Sequence, residues 1–144
     1  MRSAATSLGL FLLVGVLFGA CSDDDTDSGA STPLALYRGK PNGDDALLSG
    51  RLVLDGRCLY VEASDTSRSF VALPEVAAKW DSEAGTLVMG DRSAKPGDQV
   101  GFGGGFPGTL EHMDWETAPD EACDTSRAFI AGETLYTAEH PPGS

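Results

Sequence analysis

Two apolar runs on either side of an Asp-Gly pair constrain the fold of this chain most strongly. One run spans 47–54 and the other spans 58–63, with Asp55-Gly56 between them. Asp-Gly between apolar runs is typical of a β-hairpin, because glycine readily adopts the positive φ that tight hairpin turns require. The pattern predicts two antiparallel strands joined at Asp55-Gly56, with Cys58 at the start of the second strand.

Further short apolar segments follow at a spacing of roughly 8–15 residues, bounded by turn-forming residues. The predicted strands cover 69–73, 86–90, 99–102, 128–131 and 134–136. No amphipathic helix of normal length is present. The sequence therefore predicts an all-β domain, either a small OB-like fold or another short-stranded β-barrel.

Two segments are harder to assign from the sequence. Residues 34–37 are apolar and form either an edge strand or a turn that packs onto the domain. Residues 75–80 have the composition of one helical turn, which is too short to be stable alone. Trp80 ends this segment, and we expect it to cap an open end of the sheet.

The N-terminus has the order of a secretory signal peptide. Arg2 supplies a positive charge, residues 8–18 are an apolar run, and Gly19-Ala20 provides small residues before Cys21. The run is shorter than the roughly 20 residues that span a membrane. We predict a signal peptide over 1–20, with an uncleaved membrane anchor as the alternative.

The residues before Cys21 resemble the bacterial lipobox over 17–21, although Phe18 stands where that family usually has Leu. The resemblance implies that Cys21 is acylated and becomes the first residue of the mature protein. Several acyl chains give lasting attachment to a bilayer. The expected location is therefore exported and anchored to the cell membrane or outer membrane. Ser22 favours the outer membrane by the same resemblance.

Charge and composition divide the rest of the chain. Residues 21–43 are predicted to be the acylated Cys and a flexible acidic tether, residues 44–137 the β-barrel-like domain, and residues 138–144 a loose tail. Alternate Asp residues in the tether suggest calcium, but Ser28 and Leu34 stand where an EF-hand loop needs Gly and Glu. No metal site and no cofactor are predicted.

The chain carries 10 Lys and Arg against 22 Asp and Glu, a formal net charge of −12. Such a charge repels phosphate backbones, so no nucleic-acid partner is expected. The expected partners are the membrane, through the lipid on Cys21, and a protein or glycan.

Acylation of Cys21 would leave two of the three cysteines, Cys58 and Cys123, as an even pair in an oxidising compartment. We predict a disulfide between them. The alternatives are a metal site and a reactive thiol. A metal site would need further Cys or His at short spacing, and Cys58 has none.

The segment 101–108, Gly-Phe-Gly-Gly-Gly-Phe-Pro-Gly, formally matches G-x-G-x-x-G. A dinucleotide loop must open a helix, and Pro107-Gly108 begins none. We therefore predict a strand that ends in a sharp bend, where the backbone passes close to other atoms.

Several short motifs together resemble small bacterial exported domains of uncharacterised function. They are Gly50-Arg51-Leu52, Gly56-Arg57-Cys58-Leu59, Leu73-Pro74, Gly97-Asp98-Gln99-Val100, the glycines at 103–105 and Cys123. The resemblance spans about 46–131 and implies an OB-type or similar short-stranded barrel with a disulfide. It implies no activity.

Candidate binding residues flank the glycine-rich bend and the loop after it: Phe102, Phe106, His112 and Trp115. Aromatic side chains there would stack on sugars or clamp peptides. The alternative is that Trp80 and Trp115 plug the two ends of a small barrel.

No catalytic residue is predicted. The expected function is a non-catalytic envelope lipoprotein that acts as a binding or structural module, and the alternative is a small extracytoplasmic hydrolase that uses His112.

Overall fold

The computed structural model describes residues 32–40 and 45–143, which contain ten β-strands in two sheets and no helix. The strands are β1 (Ala35–Tyr37), β2 (Ala46–Asp55), β3 (Cys58–Glu62), β4 (Arg68–Pro74), β5 (Ala78–Asp81), β6 (Thr86–Met89), β7 (Arg92–Ala94), β8 (Gln99–Gly105), β9 (Trp115–Thr117) and β10 (Ala128–Thr137). The prediction of an all-β fold is confirmed.

Five strands of the larger sheet pair in a closed ring. Antiparallel ladders join β8 to β2, β2 to β3, β3 to β4, and β10 to β8. A parallel ladder between β10 and β4, with Ala128 opposite Phe70, closes the ring. Every strand of the ring therefore has ladder partners on both sides.

The predicted hairpin forms the start of this ring. Asp55 lies opposite Cys58, so the two-residue loop is Gly56-Arg57, one position later than expected. Gly56 has φ 59°, which is the left-handed region that glycine enters without a steric penalty.

Gly50 lies where β2 passes from one partner strand to the next. The first part of β2 pairs with β8 and the last part pairs with β3, and Arg51 belongs to both ladders. A Cβ atom at the preceding Gly50 would lie 2.3 Å from the carbonyl oxygen of Glu62. Only glycine allows this close approach, which turns the sheet back on itself within few strands.

The inward side chains of the ring form the main apolar core. The largest fully buried members are Leu52, Leu59, Leu73, Phe102, Phe129 and Leu135. The second sheet, of β5, β6 and β7, adds Ala78, Leu87, Met89 and Ala94 to the same core. Arg92 fixes this sheet to the ring by donating to the carbonyl oxygen of Leu135 at 2.8 Å. Trp80, in β5 of this sheet, is partly buried and packs against the core.

Several short elements differ from the sequence-based expectation. Residues 75–77 form a turn rather than a helical turn and lead directly into β5. The strands predicted at 128–131 and 134–136 are one strand, β10, whose register shifts between Ala131 and Leu135. The strands β5, β7 and β9 were not predicted, because three or four residues carry little periodicity and these segments, unlike β6, have few apolar residues.

Part of the predicted tether belongs to the folded region. Within 21–43, β1 pairs in parallel with β4 and has two buried residues, so 34–37 contains a strand as one alternative predicted. It is not an edge strand, because β9 pairs with its other side. At the other end, Thr137 and His140 exchange two backbone hydrogen bonds, so a turn begins the predicted tail. The signal peptide, Cys21 and tether residues 22–31 lie outside the described residues. Residues 32–40 and 45–143 include no helix long and apolar enough to cross a membrane.

We expect Gly50→Ala to lower the free energy of unfolding by about 1–3 kcal/mol, because the added methyl group meets the backbone of Glu62. Gly103→Ala is the matched control, since a Cβ atom there meets nothing within 4 Å. The control should change stability by less than about 0.5 kcal/mol. Denaturant unfolding measures both, and equal midpoints would contradict the close approach at Gly50.

Candidate functional site

The strands β3 and β4 are buried on both faces. Leu59 and Val71 point into the main core, whereas their neighbours Tyr60 and Phe70 point outward and are still buried. This explains why both strands read as nearly continuous apolar runs rather than as an alternation. An apolar outer face of this kind must be covered by another part of the chain.

The cover is the long connection from residue 106 to residue 127, which includes β9. A second apolar cluster forms on the outer face, centred on Tyr37, Tyr60 and Phe70, and Tyr60 meets Phe70 edge-on with ring centroids 5.9 Å apart. The connection contributes four partly buried side chains to it, those of Leu110, Met113, Trp115 and Cys123. Residues 106–127 are called the cover loop below.

A disulfide bridge holds the cover loop to the hairpin. Cys58 and Cys123 are bonded, with their Cα atoms 5.5 Å apart and a sequence separation of 65. The predicted bridge is therefore confirmed. Its fastening role follows from its position, because Cys58 is buried in β3 and Cys123 lies near the end of the loop.

Polar contacts fix the loop beside the bridge. The backbone N–H of Asp124 donates to the hydroxyl oxygen of Tyr60 at 2.9 Å. Arg57 lies 3.6 Å from the carboxylate of Asp120. At the far end of the cover loop, the backbone N–H of Phe70 donates to the carbonyl oxygen of Arg127 at 2.8 Å, which starts the β4–β10 ladder.

Arg38 fastens the middle of the cover loop to β1. Its guanidinium donates to the carboxylate of Glu116 and to the carbonyl oxygen of Trp115, the latter at 3.1 Å. Its backbone N–H donates to the carbonyl oxygen of Asp114 at 2.8 Å. The hydrogen bond and charge of Glu116 raise the pKa of Arg38.

Tyr37 ties β1 to the closing strand of the ring. Its hydroxyl donates to the carbonyl oxygen of Ala131 at 2.6 Å, and its side chain is buried. Burial, with a smaller contribution from the Glu133 carboxylate, raises the pKa of Tyr37 from 10.0 to about 12. The Tyr37 hydroxyl therefore stays protonated at every physiological pH.

The structure separates the four candidate binding residues. Phe102 is 0 % exposed and belongs to the main core, so it cannot contribute to a binding surface. Trp115 begins β9 and packs against the second cluster instead of plugging an end of the ring. His112 is exposed in a turn, and Phe106 is 47 % exposed. Phe102 misled the sequence analysis because alternation along β8 points it inward, away from the outward Gly101 and Gly103.

Phe106 forms an exposed aromatic site of its own. Its ring meets that of the buried Phe129 edge-on, with centroids 4.9 Å apart. The Arg127 guanidinium lies 5.4 Å from the Phe106 centroid, within range of a cation–π contact. These contacts hold Phe106 in place at the start of the cover loop.

A polar cleft of about 440 Å³ lies where β2 and β3 meet the loop between β3 and β4. It is lined by Ser49, Gly50, Arg51, Glu62, Ala63, Ser64, Thr66 and Gln99. Arg51 donates to one oxygen of Glu62, and Arg68 donates to the other at 2.9 Å. These hydrogen bonds, that of Arg68 first, lower the pKa of the Glu62 carboxyl, so the cleft contains a fixed and compensated charge pair.

Thr66 lines this cleft with an unusual backbone. It has φ 67° and is the single non-glycine residue with positive φ in the described ranges. A β-branched residue is strained in this conformation by on the order of 1–3 kcal/mol. Sequence analysis missed the cleft, although Ser64-Asp65-Thr66-Ser67, a turn between two strands without glycine, was a signal.

The described residues hold no group of three or more His, Cys, Asp or Glu side chains placed to bind a metal ion. Over the same ranges, the side chain of His112 makes no hydrogen bond or ion pair with a nucleophile or carboxylate.

No protein-family model, curated protein or solved structure matches this chain. The similarity of its short motifs to small exported domains therefore stays a prediction.

We expect loss of the bridge, by reduction or by Cys123→Ser, to lower the free energy of unfolding by about 4 kcal/mol, because the unfolded chain gains loop entropy. Hydrogen exchange should quicken first in the cover loop, while 47–61 stays protected. Cys21→Ser is the matched control and should leave both properties unchanged. Free thiols at Cys58 and Cys123 in the native protein would contradict this account.

We expect Tyr37→Phe to lower the free energy of unfolding by about 1 kcal/mol at neutral pH, because the hydrogen bond to the carbonyl oxygen of Ala131 is lost. The wild type should also lose stability as the pH rises from 10 to 12, because the unfolded tyrosine ionises there while the folded one does not. The variant should lack this part of the alkaline decline. Unfolding midpoints between pH 7 and pH 12, measured for both proteins, test this, and parallel curves would refute it.

Proposed function

We propose that this protein is a non-catalytic lipoprotein of the cell envelope, a small binding module that an acylated Cys21 displays at the membrane surface. The observation that carries the proposal is the use of the cysteines. The bridge occupies Cys58 and Cys123, and the remaining one of the three cysteines is Cys21, directly after the signal-like segment. A disulfide is also typical of an oxidising, extracytoplasmic compartment.

The distance between Cys21 and the folded region suits display at a surface. Ten residues, 22–31, separate Cys21 from Thr32, where the described structure begins. As a flexible coil they would span roughly 16–19 Å. The acidic chain, with a net charge of −12, would be repelled by anionic headgroups and held away from them.

Binding rather than hydrolysis is proposed because the two accessible features are held in place by their neighbours, whereas His112 has no partner for catalysis within the described ranges. The cleft beside Thr66 and the ring of Phe106 are accessible, and hydrogen bonds, ion pairs or stacking fix their surroundings. His112, on which the hydrolase alternative depends, stands exposed in a turn and has no bonded partner among the described residues. A protein or a glycan of the envelope is the proposed partner.

We expect Cys21→Ser to abolish acylation without changing the fold. In a bacterial host that exports the chain, an alkyne analogue of palmitate should label the wild type and not the variant. The variant should move from the membrane pellet to the soluble fraction, with an unchanged melting temperature. Labelling of Cys21→Ser, or a mature N-terminus at another residue, would refute the proposal.

A further inference from the structure

We propose that the polar cleft between β2, β3 and the β3–β4 loop binds a neutral saccharide ring, and that Thr66 is kept in a strained conformation for this contact. The inference rests on the proposed binding function and names its ligand class. It places the site near the middle of β2, where the ladder with β8 ends at the Arg51–Gln99 pair, and away from the last glycines of β8.

Other turns of the same chain show that Thr66 is not required for folding. Where the described structure needs a positive φ near 60° between neighbouring strands, the chain uses Gly56, Gly85 and Gly90, with φ values of 59°, 62° and 61°. The β3–β4 hairpin needs the same conformation and has Thr66 at φ 67°. Glycine would be the unstrained choice there, so local folding does not explain the threonine.

The surrounding hydrogen bonds hold Thr66 in this conformation. Its backbone N–H donates to the carbonyl oxygen of Ala63 at 2.9 Å, and the N–H of Ala63 donates to the carbonyl oxygen of Ser67 at 2.9 Å. The Asp65 carboxylate accepts from the backbone N–H of Ser67 at 3.0 Å and from its hydroxyl at 2.6 Å. These bonds hold the Thr66 backbone in one conformation at the edge of the cleft.

The lining groups fit a neutral polyhydroxy ligand. Hydroxyl groups come from Ser49, Ser64 and Thr66, and Gln99 adds an amide. Each of these groups can donate and accept, as the hydroxyl groups of a sugar also do. A volume of about 440 Å³ lies in the range of small-molecule sites and has room for one or two sugar rings.

Charge and polarity argue against other ligand classes. Arg51 and Arg68 both contact Glu62, and Arg68 also lies 3.3 Å from Asp55, so two guanidinium groups balance two carboxylates and no charge is left over for an ion. The chain as a whole, at −12, repels anions. Among the described residues, no aromatic or large aliphatic side chain lines the cleft, so a lipid tail would have no large apolar side chain to pack against.

The test titrates the full-length protein with glucose, galactose, N-acetylglucosamine, maltose and chitobiose, and follows backbone amide shifts by NMR. At least one sugar should shift the amides of Ser64, Thr66 and Gln99 in a saturable way at millimolar concentration. Thr66→Gly should raise the melting temperature by several degrees and weaken the affinity for that sugar at least tenfold. Ser49→Ala should weaken the affinity severalfold. The matched control Ser93→Ala, on the exposed part of β7, should leave the affinity unchanged.

Three results would overturn the inference. They are no saturable shift at the cleft with any of the five sugars, a Thr66→Gly protein that is no more stable than the wild type, and a Thr66→Gly protein with unweakened binding. None of these bears on acylation, so palmitate labelling at Cys21 would still decide the proposed function separately.

Discussion

The parallel pairing of β10 with β4 is the interaction on which the rest of the structure depends. It joins strands that are some sixty residues apart in sequence, as the Ala128–Phe70 pair shows, and it turns an open meander into a closed ring. Closure leaves β3 and β4 with two apolar faces, one toward the main core and one toward the outside. The outer face must be covered, and the cover loop, the Cys58–Cys123 bridge and β1 all serve that need.

The same constraint places the two accessible features. Ring closure with few strands demands the bend at Gly50, and the polar cleft opens beside this bend. The cover loop begins next to the closing strand, where Phe106 rests on Phe129. A binding role on such a scaffold would need no movement of the fold, since the cleft adjoins the β2–β3 ladder and Phe106 is held against Phe129.

Local patterns in the sequence predicted the local parts of this fold. The β2–β3 hairpin, whose turn lies one residue later than expected, and the cysteine pair follow from rules that act over a few residues or from a count of thiols. The ring closure does not, because no local signal specifies a parallel partner sixty residues away.

The candidate site was predicted poorly for a related reason. Aromatic residues near a glycine run suggested a surface, but alternation buries Phe102, and the second cluster takes up Trp115. The strain at Thr66 is a property of the backbone and becomes visible only in three dimensions.

The amide of Phe70 tests ring closure most directly. Its N–H donates to the carbonyl oxygen of Arg127 and so reports the β4–β10 ladder alone. In native hydrogen exchange of the intact protein, we expect this amide to exchange as slowly as those of the β2–β3 hairpin, through opening of the whole ring. Exchange at the rate of an exposed loop amide, while the hairpin stays protected, would show that the ring is open and would contradict the account.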